Sequence, residues 1–311
     1  VSVTLVTGGA GFIGRWVVKA LLDEGQHVVV LDDFSTGSRA NLEELNGSLD
    51  LVDGSIEDAA AVERAFASKP DLCLHLAARI NVQQSIDHPV ATFQPDVLGA
   101  LLVLEHARIA AAPFLFMSSC MVYAPAVGAP IAEDHPVRPA SPYAASKLAG
   151  EYLTLSYGLA YGHPVTVVRP FNTYGPHQRA DGEGGVVAIF CERALRGDTI
   201  DIFGDGTQTR DLLYVEDCAQ FVLRAARAKE ARGAVLNAGT GRDVAINELA
   251  ELIGGDGVAT RHVEHPHPQA EIARLVCDST KAERTLGWRP DISLADGIAR
   301  TKEWLDRQPT A

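Results

Sequence analysis

The chain has 311 residues, 47% of them hydrophobic and 22% charged, which is the composition of a globular protein with a large core and excludes a disordered chain. Its charge sum, 27 basic minus 40 acidic residues, is −13, so nucleic-acid binding through a general basic surface is not expected. No apolar run reaches the roughly 20 residues that span a bilayer, and the first residues, VSVTLVTGG, are strand-like rather than a basic leader, so no membrane partner and a cytoplasmic location are expected.

The chain opens with short apolar runs alternating with helical patterns. VTLVTG, HVVVLDD, LCLHLAA and FLFMSS read as buried strands, with helices expected at about 11–24, 57–67 and 90–111 between them. Strands that are apolar on both faces need cover on both sides, which predicts a Rossmann-like, doubly wound parallel α/β sheet. A proline-rich stretch follows, then a helix from about Tyr143 to Tyr161 and the strand PVTVVRP. Helices are expected further on at about 186–196, 216–229 and 247–253. The reading divides the chain into a dinucleotide-binding domain over 1–174 and a smaller, partly discontinuous substrate lobe over 175–311. There is no internal repeat.

Gly8, Gly11 and Gly14 form a GxxGxxG turn between the first strand and the first helix, joined there by Phe12 and Ile13. Glycine at such a turn lets backbone N–H groups approach a pyrophosphate at a helix N-terminus. The second strand ends on Asp32-Asp33, about 20 residues further on, where a carboxylate can accept both ribose hydroxyls of NAD and repel the 2′-phosphate of NADP. No arginine adjoins that pair in the sequence, so NAD is the expected cofactor.

Tyr143 and Lys147 lie four apart on one face of a predicted helix. An ammonium stabilises a phenolate, which can take a hydroxyl proton while hydride leaves the same carbon. Ser119, with Ser118 as its neighbour and competitor, stands at the carboxyl end of a strand, where ligands bind in this architecture. The five cysteines are odd in number and widely spaced, so no disulfide framework is expected. His262, Glu264, His265 and His267 lie in a proline-flanked loop with no spacing to make them converge, and no metal is expected.

TGGAGFIG, HLAA at 75–78, the SSxxVY run at 118–123, YxxxK at 143–147, RPFNTYGPHQ at 169–178, GDGTQTRDLLYVED at 204–217, NAGTG at 237–241 and LGWRP at 286–290 together resemble the extended short-chain dehydrogenase/reductases that act on nucleotide sugars. The resemblance implies a UDP-sugar substrate, a homodimer formed through the helices at 90–111 and 143–161, and catalytic roles for Ser119, Tyr143 and Lys147. It further implies cofactor contacts from Ser35, Ser55, Ile56, Ala77 and Ala78, and substrate contacts from Arg79, Asn172, Val187, Arg210 and Arg274. Two positions depart from the family pattern: Ser55 follows Gly54 where Asp is common, and Asp96 stands where Asn is usual.

By the same resemblance the reaction begins with oxidation at C4 of the sugar. The family's 4,6-dehydratases carry Asp and Glu after the catalytic Ser or Thr, whereas this chain has Cys120 and Met121. Methionine transfers no protons. Two outcomes stay open. In one, Ser-Cys-Met-Val-Tyr resembles the UDP-N-acetylglucosamine 5,6-dehydratases that form exo-glycals in antibiotic biosynthesis of the tunicamycin type; Cys120 then transfers protons as water leaves across C5–C6, and hydride returns to C4. In the other the chain is a UDP-sugar 4-epimerase and Cys120 is a small spacer. A non-catalytic NAD-sensing protein is a third, remote reading.

Overall fold

The computed structural model describes residues 2–126, 130–180, 185–265 and 272–308. Its strands are β1 (Val3–Thr7), β2 (His27–Asp32), β3 (Ser48–Asp53), β4 (Leu72–His75), β5 (Phe114–Met117), β6 (Val165–Pro170), β7 (Asn172–Tyr174), β8 (Ile200–Phe203), β9 (Thr209–Tyr214), β10 (Val235–Ala238), β11 (Asp243–Ala245), β12 (Thr260–Val263) and β13 (Arg274–Leu275). Seven of them form one parallel sheet in the order β10-β6-β5-β4-β1-β2-β3. All residues of β5 and β6 are buried, as expected of central strands covered on both faces. The strand order reverses between β1 and β4, and a crevice opens there at the carboxyl ends.

The helices are α1 (Phe12–Asp23), α2 (Ala40–Glu43), α3 (Ala59–Phe66), α4 (Val82–Asp87), α5 (Pro89–Phe93), α6 (Ala100–Ile109), α7 (Pro142–Tyr161), α8 (Val186–Arg196), α9 (Val215–Arg227), α10 (Ile246–Gly254), α11 (Thr280–Leu286) and α12 (Leu294–Asp306). On one face of the large sheet, Val17, Val18 and Leu21 of α1 pack with Phe221 and Val222 of α9. On the other, Val62 and Ala65 of α3 pack with Val103 and Leu104 of α6. The last strand of the sheet and the helix before it thus come from the C-terminal half of the chain.

Helix α7 carries the predicted YxxxK pair. Ser141 Oγ caps it by accepting the Ala144 N–H at 3.2 Å, Pro142 occupies its first turn, and Gly162 at φ +63° ends it. Gly150 lets it lie close on the sheet, since a Cβ there would stand 2.3 Å from the Phe116 ring.

The single helix expected over 90–111 is instead α5, a π-helical turn over Gln94–Gly99, and α6. Pro95 has no N–H to donate to the helical ladder, so the ladder is interrupted there and widens. That turn buries Asp96 behind α7.

The smaller lobe gathers β7, β9, β11 and β13 into one sheet and pairs β8 with β12. Tyr174, Phe190, Ile200, Tyr214, Leu249 and Ile298 are among the residues of its separate apolar core.

Candidate active site

The β1–α1 turn is a cradle of backbone. Gly8 sits at φ +71° and donates its N–H to Leu31 O at 2.9 Å, while Gly11 donates to Gly8 O at 3.1 Å. A Cβ on Gly14 would lie 2.0 Å from Gly8 O, so only glycine lets the helix start so close to the loop. Gly8, Gly11, Phe12, Ile13 and Gly14 all line one cleft at the carboxyl edge of the sheet. Asp32 lines it too, its carboxylate aimed by the N–H groups of Ala10 (2.9 Å) and Phe34 (2.8 Å). Burial raises the Asp32 pKa against the pull of those two N–H groups. Asp33, Ser35, Ser55, Ile56, Ala77 and Ala78 complete this end of the cleft. A backbone nest at a helix N-terminus with a carboxylate beyond it fits a dinucleotide's diphosphate and ribose.

Arg79, expected against the substrate, lines the cleft as well, and its guanidinium pairs with Asp33 at 3.3 Å, so an arginine adjoins the ribose end. The contact joins residues 46 apart and leaves no local trace in the sequence. Arg39 pairs with Asp53 and lies over the Phe34 ring at 4.3 Å.

Ser119, Cys120, Tyr143 and Lys147 line the same cleft. Ser119 Oγ accepts the Met121 N–H at 3.2 Å and so fixes the 3₁₀ turn Cys120–Val122 that puts the thiol in the wall. Lys147 Nζ donates to Met117 O at 3.0 Å and lies 5.2 Å from the centre of the Phe116 ring. Burial raises the Tyr143 phenol, which a hydrogen bond with Ser119 partly opposes. Burial lowers Lys147, and the carboxylates of Asp96 and Glu151 oppose that. The Cys120 thiol is pushed up to about 12 by burial, with the charge of Arg210 acting the other way, so it keeps its proton at neutral pH.

Asn172 lines the cleft, but Arg210, Arg274 and Val187 do not. Arg210 Nη1 donates to the carbonyls of Thr209 and Ile272, both at 2.8 Å. Arg274 bonds Asp243 at 3.0 Å. Val187 is fully buried in the core of the smaller lobe, because α8 turns that face inward, so its side chain packs rather than meets a ligand. Gln178 holds Thr173 O through Nε2 at 3.1 Å, and Oε1 of Gln178, Oδ1 of Asn172 and Oγ of Ser118 are buried with no hydrogen-bond partner among the described residues. Ser118 was visible as a competitor of Ser119, whereas nothing in the local pattern marks Gln178.

Among the described residues no group of three or more His, Cys, Asp or Glu could hold a metal, and His262 Nδ1 lies 2.9 Å from Gly204 O. His267 lies outside the described residues. Nor is any described helix long and apolar enough to cross a membrane.

The doubly wound sheet, its glycine cradle and the tyrosine and lysine one turn apart beside it define a nicotinamide-dinucleotide enzyme of the short-chain dehydrogenase/reductase type. The chain belongs to the NAD dependent epimerase/dehydratase family, whose model matches residues 4–239. It is 40% identical over 307 residues to a UDP-glucose 4-epimerase of Mycolicibacterium smegmatis, covering 97% of this chain and 98% of the relative. Among solved structures it resembles Pal from Bacillus thuringiensis, with 50% identity, a TM-score of 0.95, and coverage of 98% and 99% of the two chains. It also resembles a Thermus thermophilus UDP-glucose 4-epimerase complex with NAD, at 34% identity and a TM-score of 0.91 over 98% and 99%. The protein is an NAD-dependent nucleotide-sugar enzyme of this family.

Proposed function

We propose that the protein is a UDP-N-acetylglucosamine 5,6-dehydratase that forms an exo-glycal. NAD, which the Gly8–Gly14 turn and Asp32 would hold, would supply a reversible hydride acceptor for C4 of the sugar. Tyr143, with Lys147 beneath it and Ser119 beside it, takes the C4 hydroxyl proton and then holds the C4 oxygen as it becomes a carbonyl. That carbonyl acidifies C5–H. The Cys120 thiol gives its proton to the departing C6 hydroxide and, in the same step, recovers one from C5, so water leaves and the thiol is restored. Of the residues assigned to the nucleotide diphosphate, Asn172 lines the cleft, while Arg210 and Arg274 stand outside its wall and serve as the diphosphate's charged partners.

The observation that carries this reading is Cys120 in the cleft wall, at the position after Ser119 and in the same cleft as Tyr143 and Lys147. The second reading, a UDP-sugar 4-epimerase, is favoured by the name of the 40% identical relative. The test is incubation with UDP-N-acetylglucosamine in heavy water, followed by mass and NMR analysis. Loss of one water with vinylic signals is the expected result, and Cys120→Ala should abolish it while sparing C4 oxidation. Unchanged mass with inversion at C4 and no deuterium at C5 establishes the epimerase instead.

We also propose that the protein is a homodimer. Val90, Leu98, Tyr152 and Leu159 are exposed apolar residues on the two helical stretches expected to pair. Sedimentation should give twice the chain mass, and a species of single-chain mass at micromolar concentration removes the proposal.

A further inference from the structure

Lys147 is an ammonium held almost entirely out of water, at 3% exposure, against the carbonyl of Met117 and the ring of Phe116. Neither neighbour bears a charge, and desolvation favours loss of the proton. Two carboxylates act on it. Glu151, one turn along α7, is already held by Arg169, with Nε to Oε1 at 2.8 Å and Nη2 to Oε2 at 2.5 Å in a buried fork. Its charge is therefore largely offset.

Asp96 is different. It is 2% exposed, and both its oxygens are taken by uncharged donors: Oδ1 accepts the Arg79 backbone N–H at 2.7 Å and Oδ2 accepts the Ser146 hydroxyl at 2.9 Å. Ser146 has one hydroxyl hydrogen and also lies 2.8 Å from Tyr143 O. That carbonyl has a helical partner in the Lys147 N–H, so the hydroxyl hydrogen is available to Asp96; burial raises the Asp96 carboxyl pKa, and the Lys147 ammonium, the Arg79 N–H and the Ser146 hydroxyl pull the other way. The Arg79 guanidinium faces Asp33. Among the described residues His75 also feels the Lys147 charge; stacked on Phe114 and Phe116 and pushed down to about 3 by burial, it is neutral. The π-helical turn over Gln94–Gly99 brings the carboxylate to this place, and such turns recur at functional sites.

We propose that Asp96 is a positioning residue: docked on Ser146 and on the Arg79 backbone, its carboxylate is the counter-charge that keeps Lys147 an ammonium and so sets the pH window in which Tyr143 can take and return a proton. The inference rests on the reading that Tyr143 and Lys147 serve oxidation at C4. Asp96 also acts directly on Tyr143, where a nearby anion disfavours the phenolate.

The test is the pH profile of kcat/KM with UDP-N-acetylglucosamine for the unaltered protein, Asp96→Asn and Ser146→Ala. Asn keeps the shape, accepting from Arg79 through Oδ1 and donating to Ser146 through Nδ2. Without the charge Lys147 loses its proton more easily and the Tyr143 phenolate forms more easily, so both limbs should move to lower pH by about one unit. Ser146→Ala weakens the hold on the Asp96 charge without removing it, so its limbs should move to lower pH by less than those of Asp96→Asn, whatever its rate. If Asp96→Asn does not fold, Asp96→Thr, neutral with a hydroxyl for the same two partners, carries the comparison. Limbs that do not move in the neutral variant, or that move equally in Ser146→Ala, overturn the proposal. Failure of the unaltered protein to convert UDP-N-acetylglucosamine or UDP-glucose at any pH is a different result, which removes the C4-oxidation reading and this inference with it.

Discussion

The part of the cleft that fits the dinucleotide's diphosphate is backbone from one short turn, Gly8 and Gly11–Gly14, with the Asp32 carboxylate beyond it, whereas the polar side chains assigned to the nucleotide sugar come from β7, β9 and β13. In the first region hydrogen bonds such as Gly11 N to Gly8 O form within the turn itself. In the second, Arg210 reaches across to Ile272 O, and Arg274 reaches past β9 to Asp243 on β11. A site made of backbone tolerates no added atom, while a site made of long side chains can lose one contact and keep its fold.

The largest effect should therefore come from a single methyl group on the backbone side. Gly14→Ala would set its Cβ 2.0 Å from Gly8 O and 2.8 Å from Gly9 Cα, and neither atom can rotate away. The expected cost is about 3 kcal/mol or more, together with loss of retained NAD, read by thermal melting with and without added cofactor. A Gly14→Ala protein that melts like the parent and keeps its NAD breaks the contrast at its stronger end.

The same division decides what the amino-acid sequence reveals. The glycine turn, Asp32 and the helix bearing Tyr143 and Lys147 are legible because each is local: a strand, a turn and a helix, or two side chains one turn apart between a capping Ser141 and a closing Gly162. The Arg79–Asp33 pair is not legible, since it spans 46 positions and depends on how the loops after β2 and β4 meet. Val187 reads equally well as a lining or a core residue until α8 is seen to turn it inward. The π-helical turn has a signal, Pro95 inside a helical pattern, but that signal foretells an interruption rather than a buried Asp96. Cys120 was legible as chemistry only through its place after Ser119, and its burial, which keeps the thiol protonated, is a tertiary property.

The smaller effect should come from the long side chains assigned to the nucleotide sugar. Arg274 is partly exposed, and its guanidinium bonds Asp243, which in turn accepts the Thr209 hydroxyl at 2.6 Å; Thr209 is its register partner on β9. Removing the side chain leaves strand pairing, which is backbone, untouched. Arg274→Ala should thus melt close to the parent while its KM for a UDP-sugar rises about tenfold, or about 1.4 kcal/mol, the scale of one charge-assisted contact to a diphosphate, with kcat within about twofold because binding rather than chemistry is weakened. A fall in kcat at constant KM would place Arg274 with the reacting groups. An unchanged KM would mean that the strand-borne arginines serve the sheet alone, and that the diphosphate is held, like the cofactor's, by backbone.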